Sequence, residues 1–415
     1  MRNLITVIVL IGLGYLGFSL IGGEDDPGPE YRPEKRILGQ GGAHGSGGSD
    51  PSIPTIDPAE LLADDDAQAD SAKPTPAAGK EDDARPVPAV GEIATLEKRI
   101  AGTVSPENDE DRLRLAVAYL EAGQAEKGTH TLREIVRGGG SFAPRAAAAL
   151  LPRTDGDERA RLAASVVAQG PNAVGYDVAA LIHGKELAAA NEEAKQIEAW
   201  RLLSRAYYSR PDESWRRPIR EVIEPIVGKW LISPRPCSLA KTYSVVGGDS
   251  LARIANSEGT TVDHLMAVNR LQSDMIHPGD RLKILDKKIS IEVDKSEFRL
   301  EVRYDGGFLM SFPIGHGSDG RTPETTFVVD LRQEHPTWFP PNRPSIPYGD
   351  PANPLGERWL GFKSSDGFRG FGIHGTNEPE TIGTEASEGC IRLTNEDVIA
   401  LYPFVAVGTE VTITE

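Results

Sequence analysis

The 415-residue chain carries 62 acidic against 45 basic residues, for a formal net charge of −17 and a pI near 5.0. Binding to nucleic acid needs clustered Lys and Arg to neutralise phosphate, so this balance excludes a nucleic-acid partner and leaves sugars, peptides and proteins open. The length exceeds what one hydrophobic core usually organises, and two or three folded units with connecting sequence are expected.

Residues 4–21 (LITVIVLIGLGYLGFSLI) form an uncharged apolar run long enough, as a helix, to cross a bilayer. No small-x-small exit follows it, so it is expected to be an uncleaved anchor rather than a signal peptide, and it holds no cysteine for lipid attachment. Arg2 before the run and Glu24, Asp25 and Asp26 after it orient the bulk of the chain outside the cytoplasm. Residues 22–91 are rich in Gly, Pro, Ala and Asp and poor in aromatic and β-branched residues. Such a segment buries too little apolar surface to offset its ordering and is expected to be a disordered acidic tether.

Between residues 92 and 233 the periodicity turns helical. Leu113, Val117 and Leu120 recur on one face, with Gly123 placed as a terminator. Leu187, Ala190, Ala194, Ile197, Trp200, Leu203 and Tyr207 mark a stripe that reads as one long helix stopping before Pro211. The segment AVAYLEAGQAEKGTHTLREIV faintly resembles half of a tetratricopeptide helix pair, but no repeat period follows. A small all-α bundle or short solenoid is expected, whose surface is a candidate for a protein partner.

Residues 242–286 change character. The run YSVVGGDSLARIANSEGTTVDHLMAVNRLQSDMIHPGDRLKIL reads as strand, Gly-Gly-Asp turn, helix capped by Ser250 with Leu251, Ile254 and Ala255 inward, second helix from about Thr261, Pro-Gly turn and strand with Leu282 and Ile284. Along its whole length this β-α-α-β unit resembles a LysM domain. The resemblance implies a groove for N-acetylglucosamine-containing glycans in which Gly248, Asp249, Ser250 and Leu251 face Asp274, Met275, Ile276 and His277.

From residue 287 to 415 period-two alternation takes over, as in Phe298, Leu300, Val302 and Tyr304. Asp305-Gly306-Gly307 is a hairpin signal, and with later strands such as TTFVVD and EVTIT the segment reads as an all-β sandwich or barrel-like domain. It contains one of only two cysteines, Cys390, in ASEGCIRL; the other, Cys237, lies far off in SPRPCSLAK and reads as packing at a domain junction. A thiol with an ordinary pKa of about 8.5 is mostly protonated at neutral pH, so a working nucleophile needs a base nearby, and His374 stands sixteen residues upstream. Small neighbours, Ser387 and Gly389, leave room for a substrate carbonyl and free the N–H groups of Gly389 and Cys390 to hold an oxyanion.

The letters around this pair, IHGTN…ASEGCIRLTNEDV, together with DGRTPETTF, HPTWFPP and NPLGERWLGF, resemble the signature of the YkuD-type L,D-transpeptidases over residues 287–415. The resemblance implies that Cys390 is the nucleophile and His374 the general base and later acid. The Gly375 carbonyl would orient the imidazole, Gly389 would donate to the oxyanion, and Ser387 and Arg392 would meet substrate, Arg392 by fixing a carboxylate or bracing the nucleophile loop. It implies acyl transfer on peptidoglycan, forming 3-3 cross-links between stem peptides after D-alanine is expelled, with LysM holding the glycan strand and no cofactor or metal required. Two positions depart from the pattern. Thr325 stands where the family generally has glycine, which points to an altered turn, and Glu388 lies two residues from the thiol, so either its carboxylate faces outward or the thiol pKa is raised. His316 and His335 could line the pocket, and Trp338 and Trp359 read as packing residues or a platform for the stem. The rival readings are an L,D-carboxypeptidase, in which water resolves the same acyl-enzyme, and a non-catalytic wall-binding scaffold.

Overall fold

The computed structural model describes residues 53–63, 92–101, 108–340, 343–364 and 367–415. The expected anchor, 4–21, and most of the expected tether lie outside them; among the described residues no helix is long and apolar enough to cross a membrane. One piece of the tether is folded. Helix α1 (Pro58–Leu62) starts at Asp57, whose carboxylate accepts the Ala59 N–H at 2.8 Å. Ile56, Leu61 and Leu62 are buried, with Ile56 packed at Gly175. Composition averaged over 70 residues hid these three apolar side chains, which find their partners only in the folded helical module.

That module continues through α2 (Ile93–Ile100), α3 (Asp109–Glu121), α4 (Ala125–Gly138), α5 (Ala143–Leu150), α6 (Gly156–Val167), α7 (Tyr176–Ala189), α8 (Glu193–Ser209) and α9 (Glu213–Trp230), each packed on the next. The expected single helix across residues 187–207 is instead two. Ala190 and Glu192 are extended, and the side chain of Gln196 donates to the Ala188 carbonyl at 3.0 Å, binding the two helices across the break. The stripe survived the interruption because both helices turn apolar faces to the same core; the expected stop before Pro211 is where α8 ends.

The LysM-like unit pairs β1 (Lys241–Ser244) antiparallel with β2 (Arg281–Ile284), backed by α10 (Leu251–Ser257) and α11 (Val262–Asn269). Ser250 caps α10, accepting the Arg253 N–H at 3.3 Å, and Thr261 caps α11. Its small core of Val245, Leu251, Ile254, Ala255, Leu265, Leu282 and Ile284 is supplemented by two docked sides. Lys283, 2% exposed, donates to the carbonyls of Trp230, Ser233 and Arg235 and so caps the C-terminal end of α9, where the helix dipole favours a cation. Both cysteines are free thiols; Cys237 sits beside this lysine, its thiol donating to the Trp230 carbonyl at 3.1 Å.

In the C-terminal domain β3 (Ile289–Asp294), β4 (Arg299–Tyr304), β5 (Gly307–Pro313), β7 (Thr326–Glu334), β8 (Arg358–Phe362), β9 (Gly372–His374), β11 (Ile391–Arg392) and β12 (Glu410–Thr414) join one mixed sheet. Where the sequence suggests a sandwich or barrel, the strands hydrogen-bond continuously in the order β11-β9-β8-β7-β12-β3-β4-β5. Two pairs, β12–β3 and β11–β9, are parallel, and β6 (His316–Gly317) and β10 (Glu385–Ser387) form a separate parallel ribbon. The expected hairpin forms with Asp305 and Gly306 at φ +51 and +77, the left-handed pair that a two-residue turn needs. A helix unforeseen in the sequence, α12 (Asn395–Leu401), follows β11, with Thr394 as its cap.

β5 is the last strand of the sheet, and α8 covers it. The Trp200 indole N–H donates to the Phe308 carbonyl at 2.7 Å, and the Phe308 N–H donates to the Ser204 hydroxyl at 3.0 Å. Side chains of the helical module thus satisfy edge groups that would otherwise invite another strand. Beside them Glu301, 5% exposed, accepts from Tyr207 at 2.7 Å and faces Arg216. On its other side the domain meets the LysM-like unit through Thr261 to the Pro403 carbonyl, Asp263 to Arg332, and the His264 ring edge-on to Phe404.

Candidate active site

Neighbouring strands β9 and β11 position His374 and Cys390. They run parallel with Ile391 opposite Ile373 and Arg392 opposite His374. Both isoleucines are fully buried in the core, so the residues flanking them face the other side, which places Cys390, Arg392 and His374 on one face. The Gly372 N–H points at the Cys390 sulfur, one step before the register pair, and the thiol itself donates to the Gly370 carbonyl at 3.5 Å. From that register the Cα atoms of Cys390 and His374 are roughly 8 Å apart, a separation that two side chains on one face can bridge.

His374 is 4% exposed, and its Nδ1 lies 2.5 Å from the Gly375 carbonyl. A carbonyl only accepts, so Nδ1 carries the hydrogen and Nε2 is left as the basic nitrogen. Gly375 is fixed in turn by Asn395: a Cβ on Gly375 would stand 2.2 Å from the Asn395 Oδ1, which accepts the Glu357 N–H at 3.1 Å. Trp359, opposite His374 on β8, stacks on the imidazole with centroids 5.7 Å apart, and its ring also covers the Cα of Gly372. Of the two roles the sequence offers Trp359, packing and platform, the structure shows packing, against His374, a contact that only cross-strand register reveals.

Burial pushes the Cys390 thiol up to about 11; the Gly372 N–H and the Arg392 guanidinium oppose that, and Glu388 adds to it least. Burial likewise lowers His374 to about 4, with the Gly375 carbonyl opposing and Arg392 assisting. Both conditions expected of Glu388 therefore hold, an exposed side chain and a raised thiol, but desolvation causes most of the rise. At neutral pH the resting pair is a thiol and a neutral imidazole.

The turn that carries the thiol is tightly held. Gly389 has φ +129, and a Cβ there would meet the Phe371 ring at 2.7 Å and the Arg321 carbonyl at 3.0 Å. The Gly389 N–H, expected as an oxyanion donor, is already committed to the Ser387 hydroxyl at 3.1 Å. Ser387 is 3% exposed and donates to the Cys390 carbonyl at 2.6 Å, so it closes the turn and does not face a substrate. Arg392 reaches Glu378 at 3.3 Å and Thr381 at 3.4 Å, which ties β11 to the neighbouring loop.

The remaining expected residues divide clearly. Thr325 is not at positive φ, so its turn does not need the missing glycine. His316 is buried, stacked on Phe298 and bonded to the Gly317 and Lys295 carbonyls, while His335 packs on Tyr348 beside Glu357. In the LysM-like unit Leu251 is 2% exposed and belongs to the core, as the inward face of its helix predicts, which corrects only its placement in the glycan groove. Asp249 is occupied in the turn by Tyr243 and the Val246 N–H, and Ile276 packs on the core. Gly248, Ser250, Asp274, Met275 and His277 remain at the surface, Met275 71% exposed. A cleft of about 790 Å³ between residues 55–60, α7, α8 and the β4–β5 turn holds neither Cys390 nor His374.

Residues 288–413 match the model of the YkuD L,D-transpeptidase catalytic domain, and residues 243–285 match the LysM domain. YqjB of Bacillus subtilis (strain 168), named as an L,D-transpeptidase, is 38% identical over 141 residues, which span 33% of this chain and 73% of that protein. The chain belongs to the YkuD family of L,D-transpeptidases. YkuD of Bacillus licheniformis, also named as an L,D-transpeptidase, is 31% identical over 182 residues, 41% of this chain and 98% of its own. Among solved structures, the catalytic domain of the E. faecium L,D-transpeptidase aligns with 31% of this chain and 98% of its own at 23% identity and a TM-score of 0.26. The assignment rests on the sequence relatives, and the chain is accordingly an L,D-transpeptidase.

Proposed function

We propose that this L,D-transpeptidase forms 3-3 cross-links in peptidoglycan through a Cys390 thioester. The observation that carries the reading is the shared face of β9 and β11, which carries the Cys390 thiol and an imidazole whose Nδ1–H is held by the Gly375 carbonyl. The sulfur leaves the Gly370 carbonyl and attacks the carbonyl carbon after the third residue of a tetrapeptide stem, passing its proton to Nε2 of His374 as the S–C bond forms. Because the resting groups are neutral, proton transfer accompanies attack instead of preceding it. Negative charge on the carbonyl oxygen meets a backbone N–H of the turn; with the Gly389 N–H taken by Ser387, Cys390 supplies it. Collapse breaks the C–N bond, and His374 returns the proton to the departing D-alanine amine. A side-chain amine of a neighbouring stem then attacks the thioester, His374 takes its proton, and the thiol is restored.

The same reading makes the LysM unit a glycan anchor through its exposed turn residues Gly248, Ser250, Asp274 and Met275, raising the local concentration of stems at the catalytic face. It places the folded chain outside the cytoplasm, tethered by residues 4–21, where its polymer substrate lies. The experiment is incubation with disaccharide tetrapeptides followed by mass spectrometry of the products. Tetrapeptide–tripeptide dimers with loss of D-alanine are expected from the wild type and not from Cys390→Ala. Tripeptides alone would show water as the acceptor, and unchanged substrate with intact LysM binding to sacculi would leave only a wall-binding protein.

A further inference from the structure

The peptide unit joining Gly389 to Cys390 has an awkward position. Its carbonyl belongs to a glycine at φ +129, and glycine offers little resistance to a flip of the peptide plane. If the Cys390 N–H is to meet an oxyanion, something outside the turn must hold that plane. Ser387 does not: it binds the Gly389 N–H and the Cys390 carbonyl, the groups on either side of the unit in question.

Thr322 does reach it. Its side chain is 1% exposed and lies between two backbone groups, accepting the Gly317 N–H at 2.8 Å and donating to the Gly389 carbonyl at 2.9 Å. The direction of both bonds is unambiguous. An amide N–H only donates, so the Thr322 oxygen accepts from Gly317, and its single hydrogen is free for the Gly389 carbonyl, which only accepts. Gly317 itself is packed so closely on the turn that a Cβ there would stand 2.7 Å from the Gly389 Cα. Thr322 is therefore a fixed post against a fixed strand.

A trans peptide is planar, with its C=O and N–H on opposite sides. Holding the Gly389 carbonyl towards Thr322 aims the Cys390 N–H directly away from it. Among the described residues that N–H has no hydrogen-bond partner, whereas the Gly389, Arg392 and Leu393 N–H groups donate to Ser387, Gly315 and His374. An unclaimed donor next to the thiol thus has its direction set by Thr322. We propose that Thr322 is a positioning residue that locks the Gly389–Cys390 peptide so that the Cys390 N–H is aimed as the oxyanion donor. The assignment rests on the acyl-transfer reading above and adds to it a residue whose hydroxyl touches neither substrate nor the thiol.

The test compares two reactions of one sulfur on the full chain. Alkylation by iodoacetamide displaces iodide at a saturated carbon and develops no oxyanion. Acylation by a carbapenem adds the same sulfur to a carbonyl and does. Thr322→Val removes the hydroxyl while keeping the side-chain shape, and should slow carbapenem acylation on the order of a hundredfold, with alkylation at the same pH changed less than about threefold. Thr322→Ser, which keeps the hydroxyl, should restore acylation to within about tenfold of wild type. If the valine variant does not fold, Thr322→Ala carries the same comparison on the folded fraction. Acylation of the valine variant at the wild-type rate would overturn the assignment, and so would an equal fall in both reactions, because Thr322 would then act on the turn or the thiol as a whole. A wild-type protein that is alkylated but never acylated would instead bring down the acyl-transfer reading itself, and this assignment with it.

Discussion

The clearest consequence of the site's burial is a slow thiol. A pKa pushed up to about 11 lies some two units above an ordinary cysteine, so the thiolate fraction at neutral pH falls roughly a hundredfold. A more basic thiolate is also a better nucleophile, and with a Brønsted slope of about 0.4–0.5 the two extra units return a factor of about tenfold. Net alkylation of Cys390 by iodoacetamide near pH 7 should then run about tenfold slower than that of free cysteine. The rate should keep rising to at least about pH 10, where free cysteine has already reached its plateau. Glu388→Gln should leave the midpoint nearly in place, since that side chain is exposed and contributes least to the rise. The assay is intact-mass kinetics at a series of pH values, with Cys390→Ala to subtract Cys237. A midpoint at or below about 8.5 would refute burial as the governing cause and indicate a resting thiolate–imidazolium pair.

Three further outcomes are expected. Trp200→Ala uncovers the edge of β5 and should lower stability by about 3–5 kcal/mol, read by denaturant melts, with faster amide exchange at Phe308; unchanged exchange would show that the helical module does not protect that edge. Leu61→Ala, in the folded piece of the tether, should cost about 2–4 kcal/mol, and a chain whose melt ignores the change would show that this piece does not belong to the core. His264 and His374 are both held near about 4 by burial, so the unfolded chain binds more protons than the folded one between that pH and the ordinary histidine value of about 6.5. Stability should fall as pH drops through this window, and His264→Gln should flatten part of that slope in thermal melts at pH 4 to 7.

Local sequence was enough for the module order and for the family of the C-terminal domain. Cys390 could be singled out because a thiol needs a base and a roomy turn, and the letters flanking it carry the family signature. The LysM core was legible because turn residues and apolar spacing lie within some forty residues of one another. The hairpin at Asp305-Gly306 was legible because left-handed backbone leaves a local mark. Other features arise from residues far apart in the chain. Ile56, Leu61 and Leu62 sit in a segment whose composition reads as tether, and burial against α3 and α5 outweighs that average. Leu251 reads equally well as groove or core until β2 covers it. Trp359 meets His374, and Thr322 meets Gly389, only through strand register and loop packing, which a one-residue shift would undo and which no local pattern records. Local propensity writes the elements into the sequence, whereas the placement of a hydroxyl on a carbonyl 67 residues away follows from how the sheet closes.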